Sequence, residues 1–305
     1  MSDNTNMPRF IIGFSTTPRH VSNIWRQLVD FLAEREALPN EVELRWMTGR
    51  PEEWDSQLIA KLAVGEVEAF ILERNLNGFR VYSGSGARSF QYTLTSQEDR
   101  GCILTCFFEK GTKVPAPWNP LIEEVISKNQ CVVASQSNSL YHSWQGSETV
   151  DRFWEKRYGE FPLGCKTWSE PFSGPSLTPQ PDRVFIDISK NPGRPKALSS
   201  VVNFYPTAEM WLGPHFWQYA RCTKEEALAV DFFIEKRDTP HYLYLKCWPE
   251  PFTRPDGEQG RMQQRLWKLF FHEDCEWPPG SGTICDEPMY GPPELMPGYK
   301  QNKST

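Results

Sequence analysis

The chain has 305 residues, enough for about two domains, and its 39% hydrophobic and 24% charged content is typical of a globular protein. The formal net charge of −6 argues against a dedicated nucleic-acid binder, which usually carries a strong basic patch. The N-terminus has no charged segment followed by an apolar run, and no apolar run approaches the roughly 18 residues of a membrane span. These features predict a cytoplasmic protein with reduced cysteines and without a membrane or nucleic-acid partner.

The first elements are predicted to alternate between strands and helices. The patterns indicate a strand at 10–15, an amphipathic helix over 21–32, a strand at 42–46 and a second helix opened by Pro51. In that second helix, Leu58, Ile59 and Leu62 recur at helical spacing and are expected to face inward.

A run of strands follows and is expected to form an antiparallel meander. The strand-like segments are 70–72, 79–82, 90–94 and 103–108. Asn77-Gly78 is a strong hairpin signal between the first two. After the meander, Asn119-Pro120 predicts a helix, 131–134 predicts a strand, and Ser147 is expected to cap a helix that carries Val150.

The second half contains similar elements around one aromatic stretch, 210–219. Strands are predicted at 184–188, 201–205 and 242–246. Thr223 and Glu226 form a capping box for one helix, and Asp256 with Gln259 is expected to cap the last helix.

Consecutive strands without intervening helices predict an α+β fold with antiparallel or mixed sheets and helices packed on one face. Two similar-sized subdomains are expected, although one continuous sheet system through both halves is the alternative. The expected divisions are an N-terminal α+β domain at 1–158, a Pro/Gly-rich connection at 159–182, a C-terminal α+β domain at 183–277 and a Pro-rich extended tail at 278–305.

The stretch from Met210 to Tyr219 holds two Trp, one Phe and one Tyr, so it is either a core hub or a binding patch. We favour the hub, with Trp211 and His215 as the candidates for partner contact at its edge. His215 is also the candidate general base of a hydrolase-type enzyme, a role that would require a carboxylate partner and a cleft.

The sequence contains none of the common catalytic or ligand-binding motifs. There is no nucleophile elbow, phosphate loop, dinucleotide fingerprint or zinc-binding pattern, which predicts that the chain is not an enzyme and holds no metal or cofactor. Cys102 and Cys106 lie on one face of a predicted strand and are expected to be core thiols.

A second candidate partner surface is acidic. It is formed by residues near the predicted end of the last helix and in the tail: Glu273, Asp274, Glu276, Asp286 and Glu287. Such a cluster could steer a basic protein partner, although an ordinary solvated face is the commoner explanation.

Several segments together resemble the α+β immunity proteins of bacterial polymorphic-toxin and type VI secretion systems, the immunity protein 52 type in particular. In the first half they are the helix with Trp25 and Leu28, the segment 62–65, Asn77-Gly78-Phe79-Arg80-Val81, and the helix 118–126. Segments that are similar to those of bacterial accessory proteins lie at 188–193, 210–213 with Phe216-Trp217, and 258–259 with 263–266.

The resemblance implies a bacterial cytoplasmic protein that binds a cognate secreted toxin and neutralises it by occluding or distorting its active site. It implies neither catalysis nor a cofactor. Many such toxins are nucleases with basic clefts, which an acidic inhibitor would suit. The alternatives are a hydrolase-type enzyme with a site near His215 and an accessory component of a secretion apparatus.

Overall fold

A computed structural model describes most of the chain between residues 8 and 272. The described ranges are 8–15, 21–47, 57–76, 78–83, 90–97, 101–108, 117–145, 149–150, 164–171, 182–186, 190–199 and 201–272. The acidic candidates at 273–287, the tail at 278–305 and Ser147 lie outside these ranges.

Most strands belong to one large sheet in which every neighbouring pair is antiparallel. In chain order its ten strands are β1 (Pro8–Phe14), β2 (Glu41–Met47), β3 (Gln57–Ala63), β4 (Phe79–Ser83), β5 (Phe90–Gln97), β6 (Gly101–Phe108), β7 (Cys131–Asn138), β13 (Glu209–Leu212), β14 (Glu235–Asp238) and β15 (Leu243–Lys246). Their spatial order is β14-β15-β13-β7-β1-β6-β5-β4-β2-β3. Two smaller sheets are formed by β8 (Thr149–Val150), β9 (Thr167–Glu170) and β10 (Arg183–Ile186), and by β11 (Lys196–Ala197) and β12 (Asn203–Phe204).

Six α-helices are described, namely α1 (Val21–Ala33), α2 (Val67–Glu73), α3 (Asn119–Lys128), α4 (Ser139–Gln145), α5 (Lys224–Ala229) and α6 (Gly257–Phe271). Short 3₁₀ helices occupy Val64–Glu66 and Pro214–Gln218. Within the described ranges, no helix has the length and apolar character needed to cross a bilayer. The predicted α+β class is confirmed, and the predicted antiparallel or mixed sheets are represented by one large antiparallel sheet.

Two hydrophobic cores form because side chains alternate between the faces of a strand. The first core joins α1, α2 and α3 to one face of the sheet, with Trp25, Ile122 and Leu104 among its buried members. The second core lies against the other face of the C-terminal strands and contains residues of α6 such as Leu266 and Trp267. Helices therefore cover one face along the N-terminal strands, whereas both faces are covered at β7, β13 and β15.

Strand β13 joins the two halves of the chain. It pairs with β7 on one side, where Trp211 lies opposite Ala134, and with β15 on the other, where Trp211 lies opposite Tyr244. Trp211 belongs to the first core, whereas its neighbours Met210 and Leu212 belong to the second. The two halves thus share one continuous sheet, while the predicted domain boundaries remain predictions.

Two elements have the opposite secondary structure to the one predicted. The segment expected as the second helix is strand β3, and the segment expected as a strand at 70–72 belongs to helix α2. Leu58, Ala60 and Leu62 have the period of two that a strand needs, and pairing with β2 makes use of it. The following 3₁₀ turn then allows Val67 and Ile71 to face the first core as helical neighbours.

Of the two helix caps predicted in the second half, one is confirmed and the other is wrong. The Thr223 side chain accepts a hydrogen bond from Glu226 N at 3.1 Å, and Glu226 Oε2 accepts one from Thr223 N at 2.7 Å, which confirms the capping box. The Asp256 side chain does not cap α6, because its carboxylate accepts two hydrogen bonds from Arg254. The expected Gln259 reciprocal contact is also wrong, since Gln259 Oε1 accepts from Thr253 N and Arg254 N.

The segment Asn191-Pro192-Gly193 is deeply buried and fixes α6 to the rest of the second core. Asn191 is fully buried and exchanges two hydrogen bonds with the backbone of Lys166, at 3.0 and 3.1 Å. Trp267 Nε1 donates to Pro192 O at 2.8 Å, and the Arg194 guanidinium lies 3.9 Å from the Trp267 ring centroid. Because buried polar groups are costly unless they are satisfied, these contacts specify one position for this segment.

Gly213 allows the close approach of β13 to β7 and provides a test of the shared sheet. A Cβ at this position would lie 1.9 Å from Cys131 O, so Gly213→Ala must displace the backbone where the two halves meet. We expect a loss of about 1–3 kcal/mol or more in the free energy of unfolding, measured by urea denaturation. Gly65→Ala is the matched control, because nothing lies within 4 Å of its added Cβ. Equal stability of the two variants would contradict this role of β13.

Candidate interaction surface

The structure places Trp211 inside the protein. Its side chain is 0% exposed, and its ring lies 5.2 Å from that of Tyr244. The indole Nε1 donates to Glu123 Oε1 at 3.2 Å and so connects β13 to α3. In the present structure Trp211 is thus positioned to hold the scaffold, and its contact with a partner remains a prediction.

His215 lies in the 3₁₀ helix Pro214–Gln218 and is half-buried. The adjacent Phe216 is fully buried, and its ring packs 5.4 Å from Phe270 of α6. His215 has no hydrogen-bond or ion-pair partner among the described residues, and it does not line the pocket described below. The aromatic residues of 210–219 therefore pack as a core hub. Among the described residues, no carboxylate pairs with His215.

A polar cluster binds α3 to the C-terminal strands. Arg237 of β14 donates two hydrogen bonds to the Glu123 carboxylate, at 2.6 and 3.3 Å, and its guanidinium lies 4.2 Å from the Tyr244 ring centroid. Burial raises the pKa of Glu123, but hydrogen bonds from Arg237, Trp211 and Tyr242 outweigh it, so the pKa is lowered. Every charged group in this cluster has an internal partner, so its arrangement fits a structural role.

A small pocket opens beside α4 and β7. It encloses about 10 Å³, which is the space of about one water molecule, and Ser137, His142, Gly193 and Tyr205 are among its lining residues. The His142 ring lies 4.1 Å from the Tyr205 ring centroid. The Ser137 hydroxyl is buried and has no hydrogen-bond partner within the described part of the chain. The size suits a bridging water better than an organic substrate.

The buried thiols are unreactive by position. Cys102 and Cys106 lie in the first core as predicted, and burial raises the pKa of both, that of Cys102 to about 12. Within the described ranges, no three His, Cys, Asp or Glu residues gather where they could hold a metal ion.

Within the described residues, no layer of helices or strands covers one face of the sheet from β3 to β6, which we call the open face. It was not predicted from the sequence. Its members alternate with the residues of the first core and are exposed or half-buried: Glu43, Arg45, Ile59, Lys61, Arg80, Tyr82, Gln91, Thr93, Thr95, Ile103, Thr105 and Phe107. Their neighbours on the covered face, such as Leu44, Val81 and Leu94, are at most 1% exposed.

Two arginines lie directly opposite each other on the open face. Arg45 of β2 and Arg80 of β4 are partners in the antiparallel register. Arg45 forms an ion pair with Glu43, and its guanidinium lies 4.8 Å from the Tyr82 ring centroid. Arg80 is exposed and has no ion-pair partner among the described residues. Like charges opposite each other are destabilising in a sheet, and the ion pair of Arg45 with Glu43 offsets only part of this repulsion.

The comparisons with known proteins show no family for this chain. No family model matches it, and no curated protein matches it. It is similar to a solved structure of the Pseudomonas aeruginosa type VI secretion system (T6SS) protein PA0821, with 10% identity and a TM-score of 0.48 over 91% of this chain and 77% of that chain. This is a loose likeness to a T6SS protein, and the immunity type remains a prediction.

The buried His142 predicts a pH dependence of stability. Burial, together with the charge of Arg9, holds the pKa of His142 well below its ordinary value of 6.5. As the pH falls below about 6.5, His142 takes up a proton in the unfolded chain but not in the folded protein. The free energy of unfolding therefore decreases with falling pH until the pH reaches the pKa of His142 in the folded protein.

We expect the unfolding midpoint of the wild type to decrease between about pH 6.5 and 5 by more than that of His142→Gln, whose side chain does not titrate. Urea unfolding at each pH measures the difference. Parallel curves for the two proteins would show that His142 is accessible to protons in the folded state.

Proposed function

We propose that this protein binds a cognate secreted bacterial toxin and neutralises it by occluding the toxin's active site. Support comes from the resemblance of its sequence segments to immunity proteins and from the open face. The observation that carries the proposal is a hydrogen-bonded sheet surface on which arginine, tyrosine and phenylalanine side chains are exposed or half-buried. Arg and aromatic residues dominate the binding energy of protein interfaces.

The opposed arginines support a binding role more specifically. A sheet optimised only for stability would place opposite charges or a neutral pair at Arg45 and Arg80. A partner that presents carboxylates to this position would offset the repulsion and gain charge-assisted hydrogen bonds. Such a pattern, in which stability is lower where binding is stronger, is common at functional surfaces.

The surface favours a toxin that presents carboxylates next to apolar or hydroxyl groups. Threonine hydroxyls at positions 93, 95 and 105 offer hydrogen bonds, while Phe107 and Ile103 offer apolar contact. A nuclease as the toxin is supported by the resemblance alone, since the acidic residues expected to face a basic cleft lie outside the described ranges.

We expect a toxin-domain gene directly beside the gene of this protein, and a solitary gene in a metabolic operon would contradict the proposal. Co-expression should restore growth to cells that produce the toxin domain, and the two purified proteins should form a complex with a nanomolar dissociation constant. A toxin that stays fully active in the presence of excess protein would overturn the proposed function.

Charge reversal at Arg80 tests the surface. Arg80→Glu removes the cation that a partner carboxylate would meet and should weaken toxin binding at least about 10-fold, measured by calorimetry. The same change replaces a repulsive cross-strand pair by an attractive one, so it should raise the free energy of unfolding by about 0.2–1 kcal/mol.

Arg261→Glu is the matched control, because Arg261 is an exposed cation on α6 with only a 3.8 Å ion pair to Glu258. It should leave the dissociation constant unchanged. If toxin binds Arg80→Glu as tightly as it binds the wild type, the toxin binds elsewhere, although the proposed function would stand.

A further inference from the structure

The two edges of the large sheet are built differently. Strand β14 has four residues and all of them are charged, Glu235-Lys236-Arg237-Asp238, which discourages another strand from pairing with it. Strand β3, at the other edge, has seven residues, and Lys61 is its only charged residue. Its Ile59 side chain is 54% exposed. Long edge strands with accessible apolar side chains favour pairing with a further strand.

The register shows which backbone groups of β3 point outward. Val64 N donates to Asn40 O at 3.1 Å, which places residue 64 in a hydrogen-bonded pair with the chain of β2. Because such pairs alternate along an antiparallel ladder, Leu58, Ala60 and Leu62 also bond to β2. Gln57, Ile59 and Lys61 therefore direct their N–H and C=O groups away from the sheet.

The next outward position, Ala63, is already engaged. Its N–H donates to Glu66 Oε2 at 3.1 Å, so the side chain of the following 3₁₀ turn closes this end of the edge. The outward backbone groups that remain are those of Gln57, Ile59 and Lys61, and Ile59 is the central residue of the three. This segment has outward groups on both sides of Ile59 at equal spacing.

We propose that two copies of the chain pair through antiparallel β3 strands, with the two-fold axis at Ile59. In this register Ile59 lies opposite Ile59 of the second copy, and Lys61 lies opposite Gln57. All outward groups of Gln57, Ile59 and Lys61 are then paired, the two exposed isoleucines cover each other, and the two lysines lie far apart.

A second copy fits this edge because the segment is complementary to itself. The pairing uses the same patch on both copies and is therefore closed, so it gives a dimer. The charged β14 edge does not offer a second site that would extend the dimer into a filament.

The oligomeric state is measured by light scattering of the purified full chain at about 100 μM. We expect twice the chain mass of 35.3 kDa. Ile59→Pro removes an outward N–H that β2 does not use, so it should give the monomer mass with its thermal unfolding retained. A monomeric wild type, or a dimer that persists in a folded Ile59→Pro variant, would overturn the proposal.

Cysteine cross-linking tests the register and does not depend on the proline variant. Hydrogen-bonded antiparallel partners have Cα atoms about 5.5 Å apart, which is within the range of a disulfide. Ile59→Cys should therefore form a covalent dimer under mild oxidation, above the background of the wild-type cysteines. Lys61→Cys is the control, because its two copies would be separated by about four residues, or about 14 Å. Cross-linking of Lys61→Cys but not of Ile59→Cys would contradict this pairing.

Discussion

The pairing of β13 with β7 is the constraint on which the rest of the structure depends. It places Trp211 opposite Ala134 and directs Trp211 into the core beneath α3, while Met210 and Leu212 enter the core beneath α6. Because alternate side chains of β13 belong to the two cores, the packing of one core constrains the position of the other. A one-residue slip would exchange these side chains between the cores, so the register is strongly specified. A Cβ added at Gly213 would clash with Cys131 O, which shows how closely the chain approaches β7 at this point.

Buried polar contacts give the C-terminal half its specific arrangement. Gln263 is fully buried, accepts a hydrogen bond from Tyr141 Oη at 2.8 Å and donates to Arg254 O and Gln259 O. With the Trp267 bond to Pro192, these contacts fix α6 against α4 and the buried segment at 191–198. Hydrophobic area alone would tolerate other positions of the helix, whereas a displaced amide would lose its partners and carry their desolvation cost.

The same sheet explains why this protein has both a stable core and an open face. On the N-terminal strands, the helices cover only one face, so alternate residues are left in contact with water. These residues are free to serve binding, and the opposition of Arg45 and Arg80 lowers stability without endangering the first core behind them. The edge at β3 adjoins the open face, and Ile59 belongs to both, but pairing at the edge also uses the outward backbone groups of β3. The proposed toxin binding and the proposed self-association are therefore tested at different residues, Arg80 and Ile59.

The sequence by itself determined the α+β class, most strands of the meander, α1, α3, the Thr223 capping box and the burial of Cys102, because these depend on local periodicity and neighbouring residues. It did not identify β3 or α2, since short segments such as 57–63 satisfy helical and strand spacing equally well until β2 is present to pair with one of them. Nor could it reveal the open face, because which side of a strand is covered depends on where distant helices pack. The opposition of Arg45 and Arg80 and the burial of 191–198 were decided only by the tertiary structure, which brings residues far apart in sequence into register.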